Sequence, residues 1–359
     1  RDRFQVTRAL ADGVRLFATA LVLSVVLGMD NDLWTIFIIG IVTIIYTFYG
    51  GMTAVVWNDV IQLFVYLIGA LVALYLIPQR IPDGWSEIVT IAEANDKFDL
   101  WNLTFDIAEP YTLLAGLIGG AFLTFATHGT DQMMVQRYLA CGNQSKSQLA
   151  LIASGVVVIV QFFVFLLIGV MLYAFYQHFP LDHELEHVNR IFPLFIVEEM
   201  PSGVSGLVIA AVFAAAMSTL SSSLNSLSSS SMNDFYRSWL VPEASEQHYF
   251  RVSRFFTLGW GGVLILVSFM ARDWGEVLQV GLTIASLTMG SVLGIFLLGR
   301  LQSAPGPKGG LAAMICGIVV MVAVALLTPL AWTWYVLVGT ATTVTAGVIF
   351  GKFEKTSRR

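Results

Sequence analysis

Long apolar stretches fill almost the whole of this 359-residue sequence and constrain its fold more than any other feature. Hydrophobic residues make up 57% of the chain and charged residues 12%. A soluble domain carries about 25% charged residues. Because a soluble fold of this length could not bury so much apolar surface, the sequence predicts a multi-pass membrane protein.

The length of these stretches predicts helices. A membrane-spanning helix needs about 20 mostly apolar residues, whereas barrel strands have about ten residues of alternating polarity. We therefore expect an all-α polytopic membrane protein with about ten transmembrane helices. They are predicted at residues 9–29, 33–49, 55–78, 111–139, 147–177, 203–236, 249–271, 275–299, 309–329 and 331–351.

The basic residues predict the orientation of the chain. Of the 19 Lys and Arg residues, all but Arg80, Lys97, Arg190 and Arg272 fall at one set of helix ends. Basic loops stay on the cytoplasmic side of a membrane. Both ends of this chain are therefore predicted to be cytoplasmic, in a multi-pass protein of the plasma membrane.

The sixth stretch carries the strongest chemical signal, because hydroxyl residues recur in it between leucines at helical spacing. Na⁺ is a hard cation that prefers several oxygen ligands, which neutral hydroxyl and carbonyl groups supply. The adjacent Ser218 and Thr219 are therefore candidate sodium ligands. A close helix–helix seam of small and hydroxyl residues explains the pattern equally well, and the leucine spacing disfavours a serine-rich linker.

An acid and a polar run mark two further candidate regions. Asp59 follows a Gly-Gly turn and is either a carboxylate that meets the sixth stretch or one stabilised by a helix N-terminus. The fourth stretch is polar from Thr124 to Gln132, which favours a broken helix lining a cavity. The alternative is a helix that ends at His128.

Three polar side chains within other stretches are candidate solute contacts. Arg15 lies inside the first stretch, three residues after Asp12. In the structural interpretation, Arg15 pairs with Asp12 or extends to the membrane surface. In the functional interpretation, Arg15 binds an anionic solute. Gln161 and Gln279 are either interhelical hydrogen-bonding groups or solute contacts.

One motif indicates a different class of function. His183, Glu184 and His187 match the H-E-x-x-H pattern of zinc metalloproteases. That chemistry needs both histidines on one helix, a third ligand and an enclosed cleft, whereas this motif follows Pro180 in a short exterior loop. A zinc-dependent membrane metalloprotease is one alternative function, and a membrane sensor that transports nothing is another.

Three strings of this sequence together resemble the sodium:solute symporter family, which includes sodium/glucose, sodium/proline and sodium/sialic acid transporters. They are the Gly-Gly-x-x-x-Val-Val-Trp-x-Asp-Val-Ile-Gln string at 50–62, the string at 130–137, and the Ala-rich Met-Ser-Thr-Leu-Ser segment that continues to Tyr236. The resemblance implies a LeuT-type bundle of two inverted five-helix repeats.

On that plan residues 1–359 form a single transporter domain that lacks the N-terminal helices. Residues 1–78 correspond to core helices three to five, residues 111–299 to core helices six to ten, and residues 309–351 to two C-terminal accessory helices.

The resemblance also implies site residues. The main sodium site would use the Ala215 carbonyl with the hydroxyls of Ser218 and Thr219. A second site would use Asp59 and Ser218 with Ser221 and Ser222. Arg15 corresponds roughly to an arginine that holds the carboxylate of sialic acid. Thr124 and Thr127 replace an Asn and a Tyr of the sugar transporters. The full set of candidate solute contacts is Arg15, Thr124, Thr127, Gln132, Gln161 and Gln279.

The resemblance implies sodium-coupled symport of a small organic solute by alternating access. The solute would be a sugar, a sialic acid, a monocarboxylate or an amino acid. Na⁺ would be the coupling ion, with no organic cofactor, no enzymatic activity and no nucleic-acid partner. The sequence contains no G-x-x-x-x-G-K-[ST] string for ATP.

Overall fold

A computed structural model describes residues 2–29, 32–49, 55–99, 101–131, 134–135, 138, 141–181, 185, 187–301 and 305–357. Within these ranges the side chains at 2–7, 49, 55–59 and 354–357 are not described.

The described residues form helices and loops and contain no β-strand, which confirms the all-α prediction. A π-helical turn at Ala115–Gly119 precedes α5, and a π-helical segment at Ser231–Leu240 continues α8. The α-helices are α1 (Asp2–Val26), α2 (Asp32–Tyr49), α3 (Val55–Arg80), α4 (Trp85–Ala94), α5 (Gly120–Thr130), α6 (Gln144–His178), α7 (Ile191–Glu198), α8 (Ser202–Ser230), α9 (Glu246–Ala271), α10 (Val277–Leu298), α11 (Pro307–Leu327) and α12 (Tyr335–Ser357).

Eight helices within the described residues are long and apolar enough to cross a membrane. They overlap α1, α3, α6 and α8 to α12, and they correspond to eight of the ten predicted stretches. A ninth, Asp32–Phe48 in α2, is apolar but shorter. The chain is therefore a multi-pass membrane protein.

The fourth predicted stretch, 111–139, is not one continuous helix. α5 ends at Thr130, and the backbone of Asp131 is extended, with φ −74° and ψ 117°. Helical geometry returns at Met134, Val135 and Tyr138, while the neighbours of these residues lie outside the described part of the chain. This interruption agrees with the predicted broken helix and lies three residues beyond His128.

The chain folds into two compact units. The first comprises Arg1–Phe98 and Gln161–Gly281, and the second comprises Asp99–Val160 and Leu282–Arg359. Helix α6 passes through the division between Val160 and Gln161. The assignment of residues 1–359 to a single transporter domain stays a prediction.

Two apolar clusters of described residues lie in the core of the first unit. One joins α1, α2, α8 and α9 through side chains that include Leu16, Ile39, Leu220, Leu224 and Leu264. The other joins α3, α6, α7 and α8 through side chains that include Ile77, Met171, Phe175, Phe195 and Val208. Helix α8 therefore packs against both groups of helices.

The segment after α3 packs against the C-terminal end of α6. His178 at the end of α6 lies 2.5 Å from the carboxylate of Glu87 on α4. The Tyr173 hydroxyl donates to the side-chain oxygen of Asn95 over 3.1 Å, and Lys97 lies over the Tyr173 ring. These contacts hold the segment from Glu87 to Lys97 against the C-terminal end of α6.

His187 does not have the geometry that the metalloprotease motif requires. Its backbone is extended, with φ −137° and ψ 127°, and Leu185 is not helical either. His187 therefore does not lie on a helix, and His183 and Glu184 lie outside the described residues. The His187 ring contacts Phe17, and its Nε2 lies 4.0 Å from the buried carboxylate of Asp32.

Within the described residues there is also no group of three or more His, Cys, Asp or Glu side chains that could hold a metal ion. The metalloprotease alternative therefore has no support in the described part of the motif.

In the second unit α10, α11 and α12 pack closely where small residues meet. The Thr340 hydroxyl donates to the Gly290 carbonyl over 3.0 Å, and a Cβ atom added to Gly290 would lie 2.7 Å from the Val336 carbonyl oxygen. Gly290 is therefore required because the backbones of α10 and α12 approach each other at this point.

We expect Gly290→Ala to destabilise the protein by about 1–3 kcal/mol, because the new methyl group meets backbone atoms that cannot move aside. Gly281→Ala is the matched control on the same helix, because its Cβ would have nothing within 4 Å. Thermal unfolding in detergent should show a lower midpoint for Gly290→Ala and an unchanged or higher one for Gly281→Ala. Equal midpoints would contradict the close contact.

Candidate functional site

Helix α8 has one face that forms a helix–helix seam. Leu220, Ser223, Leu224 and Leu227 on this face are at most 2% exposed. Ser228 continues the seam, and its hydroxyl accepts a hydrogen bond from Thr257 of α9 over 3.0 Å. The seam interpretation of the serine-rich pattern is therefore right for Ser223 and Ser228.

The candidate sodium ligands lie outside this seam. Ser218, Ser221 and Ser222 are half-buried, and Thr219 is exposed. At about 100° per residue, Ala215, Thr219 and Ser222 fall within a narrow stripe of the helix surface, and Ser218 lies beside it. The hydroxyls predicted to bind sodium thus remain available, because the packing of α8 uses other serines.

Two of the predicted ligand atoms are brought together by the helix itself. The Thr219 hydroxyl donates to the Ala215 carbonyl over 3.0 Å. This is the back-bonding geometry of a Thr in a helix, and it places both oxygens at one point on the α8 surface. A cation at that point can be coordinated by both oxygens when the hydroxyl proton turns away. Ser218 lies on the same turn.

The preceding turns of α8, as far as Ala215, form one wall of a cavity of about 380 Å³ in the first unit. Among the described residues, Tyr66 of α3 and Gln161 of α6 are the polar side chains that line it. Both the interhelical and the solute-contact interpretation of Gln161 stay predictions. The other lining residues are Val22, Gly69, Ala70, Phe165, Phe192, Pro193, Ile196, Val208, Ile209, Ala211, Val212 and Ala215.

Arg15 forms an ion pair with Asp12, as one of the sequence alternatives predicted. Its Nη1 lies 2.6 Å from Oδ1 of Asp12. The carboxylate is fully buried, whereas the Arg15 side chain is 57% exposed. One edge of the guanidinium is thus held by α1, and the rest of it can still receive an anion. Arg15 also lies on the same face of α1 as the cavity-lining Val22, two turns away.

The remaining candidates lie in the second unit, at the start of α10 or outside the described residues. Thr124 is exposed, and the Thr127 hydroxyl donates to the Leu123 carbonyl and contacts the Met289 sulfur in the second unit. Gln279 is half-buried near the start of α10. Gln132 lies outside the described residues, as does the side chain of Asp59 on α3. Their predicted roles stay predictions.

A buried polar network around Asp12 was missed by sequence reasoning. The Asp12 carboxylate accepts a hydrogen bond from the Ser223 hydroxyl of α8, and Nε of Arg8 donates to the same hydroxyl over 2.9 Å. The spacing of Arg8 and Asp12, four residues apart on one helix face, was a local signal. Ser223 could not be singled out, because it is one of many serines and lies 211 residues from Asp12.

A family model for the sodium:solute symporter family matches residues 6–317 of the chain. The chain belongs to the sodium:solute symporter family. Its relatives include the sodium-dependent multivitamin transporter of Oryctolagus cuniculus, 30% identical over 312 residues, and the sodium/sialic acid symporter SiaT of Proteus mirabilis (strain HI4320), 30% identical over 339 residues. These alignments cover 86% and 93% of this chain.

The chain spans 48% of the multivitamin transporter and 68% of SiaT, so it corresponds to about half to two thirds of these symporters. A solved structure of a Na⁺-coupled sialic acid symporter, in a substrate-bound outward-open state, superposes with a TM-score of 0.78 at 28% identity. That superposition covers 98% of this chain and 72% of the other. The LeuT-type fold predicted from the resemblance is confirmed.

Proposed function

We propose that this symporter-family protein couples the entry of Na⁺ to the uptake of a small organic solute by alternating access. The observation that carries the proposal is the convergence of the Ala215 carbonyl and the Thr219 hydroxyl, 3.0 Å apart, on the face of α8 that lies outside the packing seam. Sodium-dependent transport by the named relatives supports the same activity.

The main sodium ion would bind at Ala215, Ser218 and Thr219. Neutral oxygens suit a monovalent cation, because they compensate its lost hydration without adding an uncompensated charge to the helix bundle. A ligand shifts a conformational equilibrium only by its differential affinity for the two states. We therefore expect sodium to bind the outward-open state more tightly and to leave on the cytoplasmic side, where its concentration is low.

We propose that the solute carries a carboxylate and that Arg15 receives it. The exposed part of the Arg15 guanidinium can donate to an anion while Asp12 holds the opposite edge. A sialic acid is the first solute to test, because both SiaT and the superposed structure are described as sialic acid symporters. Monocarboxylates and amino acids also carry a carboxylate, and a neutral sugar is the alternative solute if Arg15 does not contact the solute.

A second sodium ion would use Asp59 with Ser218, Ser221 and Ser222. We expect Ser221→Ala combined with Ser222→Ala to lower the sodium-to-solute flux ratio from about two to about one, since these hydroxyls would serve the second ion. Parallel flux measurements of radioactive sodium and solute test this. Ser226→Ala, at an exposed serine of the same helix, is the control. A ratio near one before any substitution would contradict the second site.

We propose that both ends of this chain are cytoplasmic and that the protein resides in the plasma membrane. The excess of Lys and Arg at one set of helix ends supports this orientation. Labelling of single introduced cysteines at the loop around Asn143 and at the loop around Asp99 tests it. We expect a membrane-impermeant reagent added outside intact cells to reach only the second loop.

Uptake by the intact protein in proteoliposomes tests the proposed function directly. An inward sodium gradient should drive accumulation of labelled sialic acid above its external concentration, and an equal potassium gradient should not. Biotin, pyruvate, glucose and proline should be screened in parallel. If no solute accumulates and sodium does not change the thermal unfolding of the protein, the non-transporting sensor is favoured.

A further inference from the structure

The carboxylate of Asp12 links the helix that carries the proposed sodium ligands to the helix that carries the proposed solute contact. Asp12 is fully buried on α1, and it accepts a hydrogen bond from Ser223 of α8. On its own helix it pairs with Arg15 over 2.6 Å and lies 3.8 Å from Arg8. Arg8 in turn donates a hydrogen bond to Ser223, so the side chains of Arg8, Asp12 and Ser223 form a closed ring of contacts.

The position of Ser223 makes this ring sensitive to the rotation of α8. Ser223 follows Ser222 directly and lies four residues, about one turn, after Thr219. Rotating α8 enough to break the bond from Ser223 to Asp12 would also turn the Ala215 and Thr219 oxygens. Ser223 is completely buried, so losing the bond would leave buried polar groups without a hydrogen bond, which is costly.

We propose that Asp12 and Ser223 are positioning residues, which set the rotation of α8 and thereby the arrangement of its sodium ligands relative to Arg15. This inference rests on the proposed function, because it assigns the network to the sodium site proposed above. Asp12 acts on both sites through other residues. It orients Ser223 on the sodium-bearing helix, and it neutralises and holds one edge of Arg15.

The charges of the network also favour a role in coupling the two sites. The guanidinium groups of Arg8 and Arg15 both lie next to the carboxylate of Asp12. An anionic solute at Arg15 would compete with Asp12 for the Arg15 guanidinium and draw Arg15 away from it. The Asp12 carboxylate would then interact more strongly with Arg8 and Ser223. We therefore expect solute binding to tighten the anchoring of α8, so that each ligand improves the affinity for the other.

Replacing Ser223 with Ala tests the positioning role without touching a proposed ligand. We expect about a threefold to tenfold rise in the sodium concentration that gives half-maximal stabilisation against thermal unfolding, since one buried hydrogen bond is lost. The maximal stabilisation at saturating sodium should be unchanged. Ser228→Ala is the matched control, because Ser228 is an equally buried serine of α8 that bonds to α9 instead of α1.

Asp12→Asn and the double variant Asp12→Asn/Ser223→Ala separate positioning from general packing. Asn fills the same space but removes the charge, so we expect a rise in half-maximal sodium at least as large as that of Ser223→Ala. The double variant should then be no worse than Asp12→Asn alone, because both changes act on the same contact, which Asn weakens by losing the charge and Ala removes. Ser223→Thr keeps the hydroxyl and should restore much of the sodium affinity.

The inference is overturned if Ser223→Ala and Ser228→Ala shift sodium affinity equally, or if the effects of Asp12→Asn and Ser223→Ala multiply independently. It is also overturned if Ser223→Ala lowers only the unfolding midpoint and leaves half-maximal sodium unchanged. These results leave sodium binding by the unsubstituted protein intact. Failure of the proposed function would instead appear as the absence of any sodium effect before a substitution is made.

Discussion

Replacing Ser218 and Thr219 together with Ala should nearly abolish sodium-dependent uptake at physiological sodium concentration. Each hydroxyl oxygen would coordinate the sodium ion, and a polar contact to a charged group contributes about 1.5–3 kcal/mol. Loss of both is therefore expected to raise the sodium concentration for half-maximal uptake by on the order of 100-fold or more. Uptake of labelled solute across a series of sodium concentrations, with choline as the replacement cation, measures this shift.

The exposed Ser226 on the same helix provides the control for this result. Ser226→Ala should leave both sodium affinity and maximal uptake unchanged, since Ser226 is not among the proposed ligands. His187→Ala tests the metalloprotease alternative, because it removes the described histidine of that motif. It should leave the apparent sodium affinity unchanged. Normal sodium affinity in the Ser218/Thr219 variant would place the sodium site elsewhere in the protein.

Replacing Arg15 with Gln should raise the KM for a carboxylate-bearing solute by about 10- to 100-fold, because a charge-assisted interaction worth about 1.5–3 kcal/mol is lost. Asp12 would still accept from Ser223 and lie next to Arg8, so α8 should stay anchored. Uptake of sialic acid at several solute concentrations measures the change. Stabilisation by sodium alone should persist in this variant, which separates solute binding from sodium binding.

Arg15→Lys is the informative companion, because lysine keeps the charge but not the planar, two-pronged geometry of arginine. An intermediate KM for Arg15→Lys would indicate that the guanidinium binds the carboxylate with two hydrogen bonds. If Arg15→Gln leaves the KM unchanged, Arg15 serves only to pair with Asp12. The solute is then bound by other residues, and a neutral solute becomes the better proposal.

The membrane class and most of the helices could be predicted because they depend on local composition. A run such as 249–271 is apolar over the length of a bilayer whatever surrounds it, and α9 at Glu246–Ala271 agrees with it. The polar run from Thr124 to Gln132 predicted that the fourth stretch is broken, but it did not specify that the break falls at Asp131. The residue at which a helix ends within a polar run depends on which backbone N–H and C=O groups are hydrogen-bonded. Composition alone does not specify this.

The sequence by itself determined that this is an all-α membrane protein of the sodium:solute symporter family, and that hydroxyl groups on α8 and a charge at Arg15 are its candidate site residues. Only the tertiary structure decided which serines pack and which remain available. It placed Ser223 against Asp12, 211 residues away, and left Ser218 and Ser222 outside the seam. The physical reason is helix rotation. One residue turns the side chain by about 100°, and the packing of distant helices selects the face that is buried.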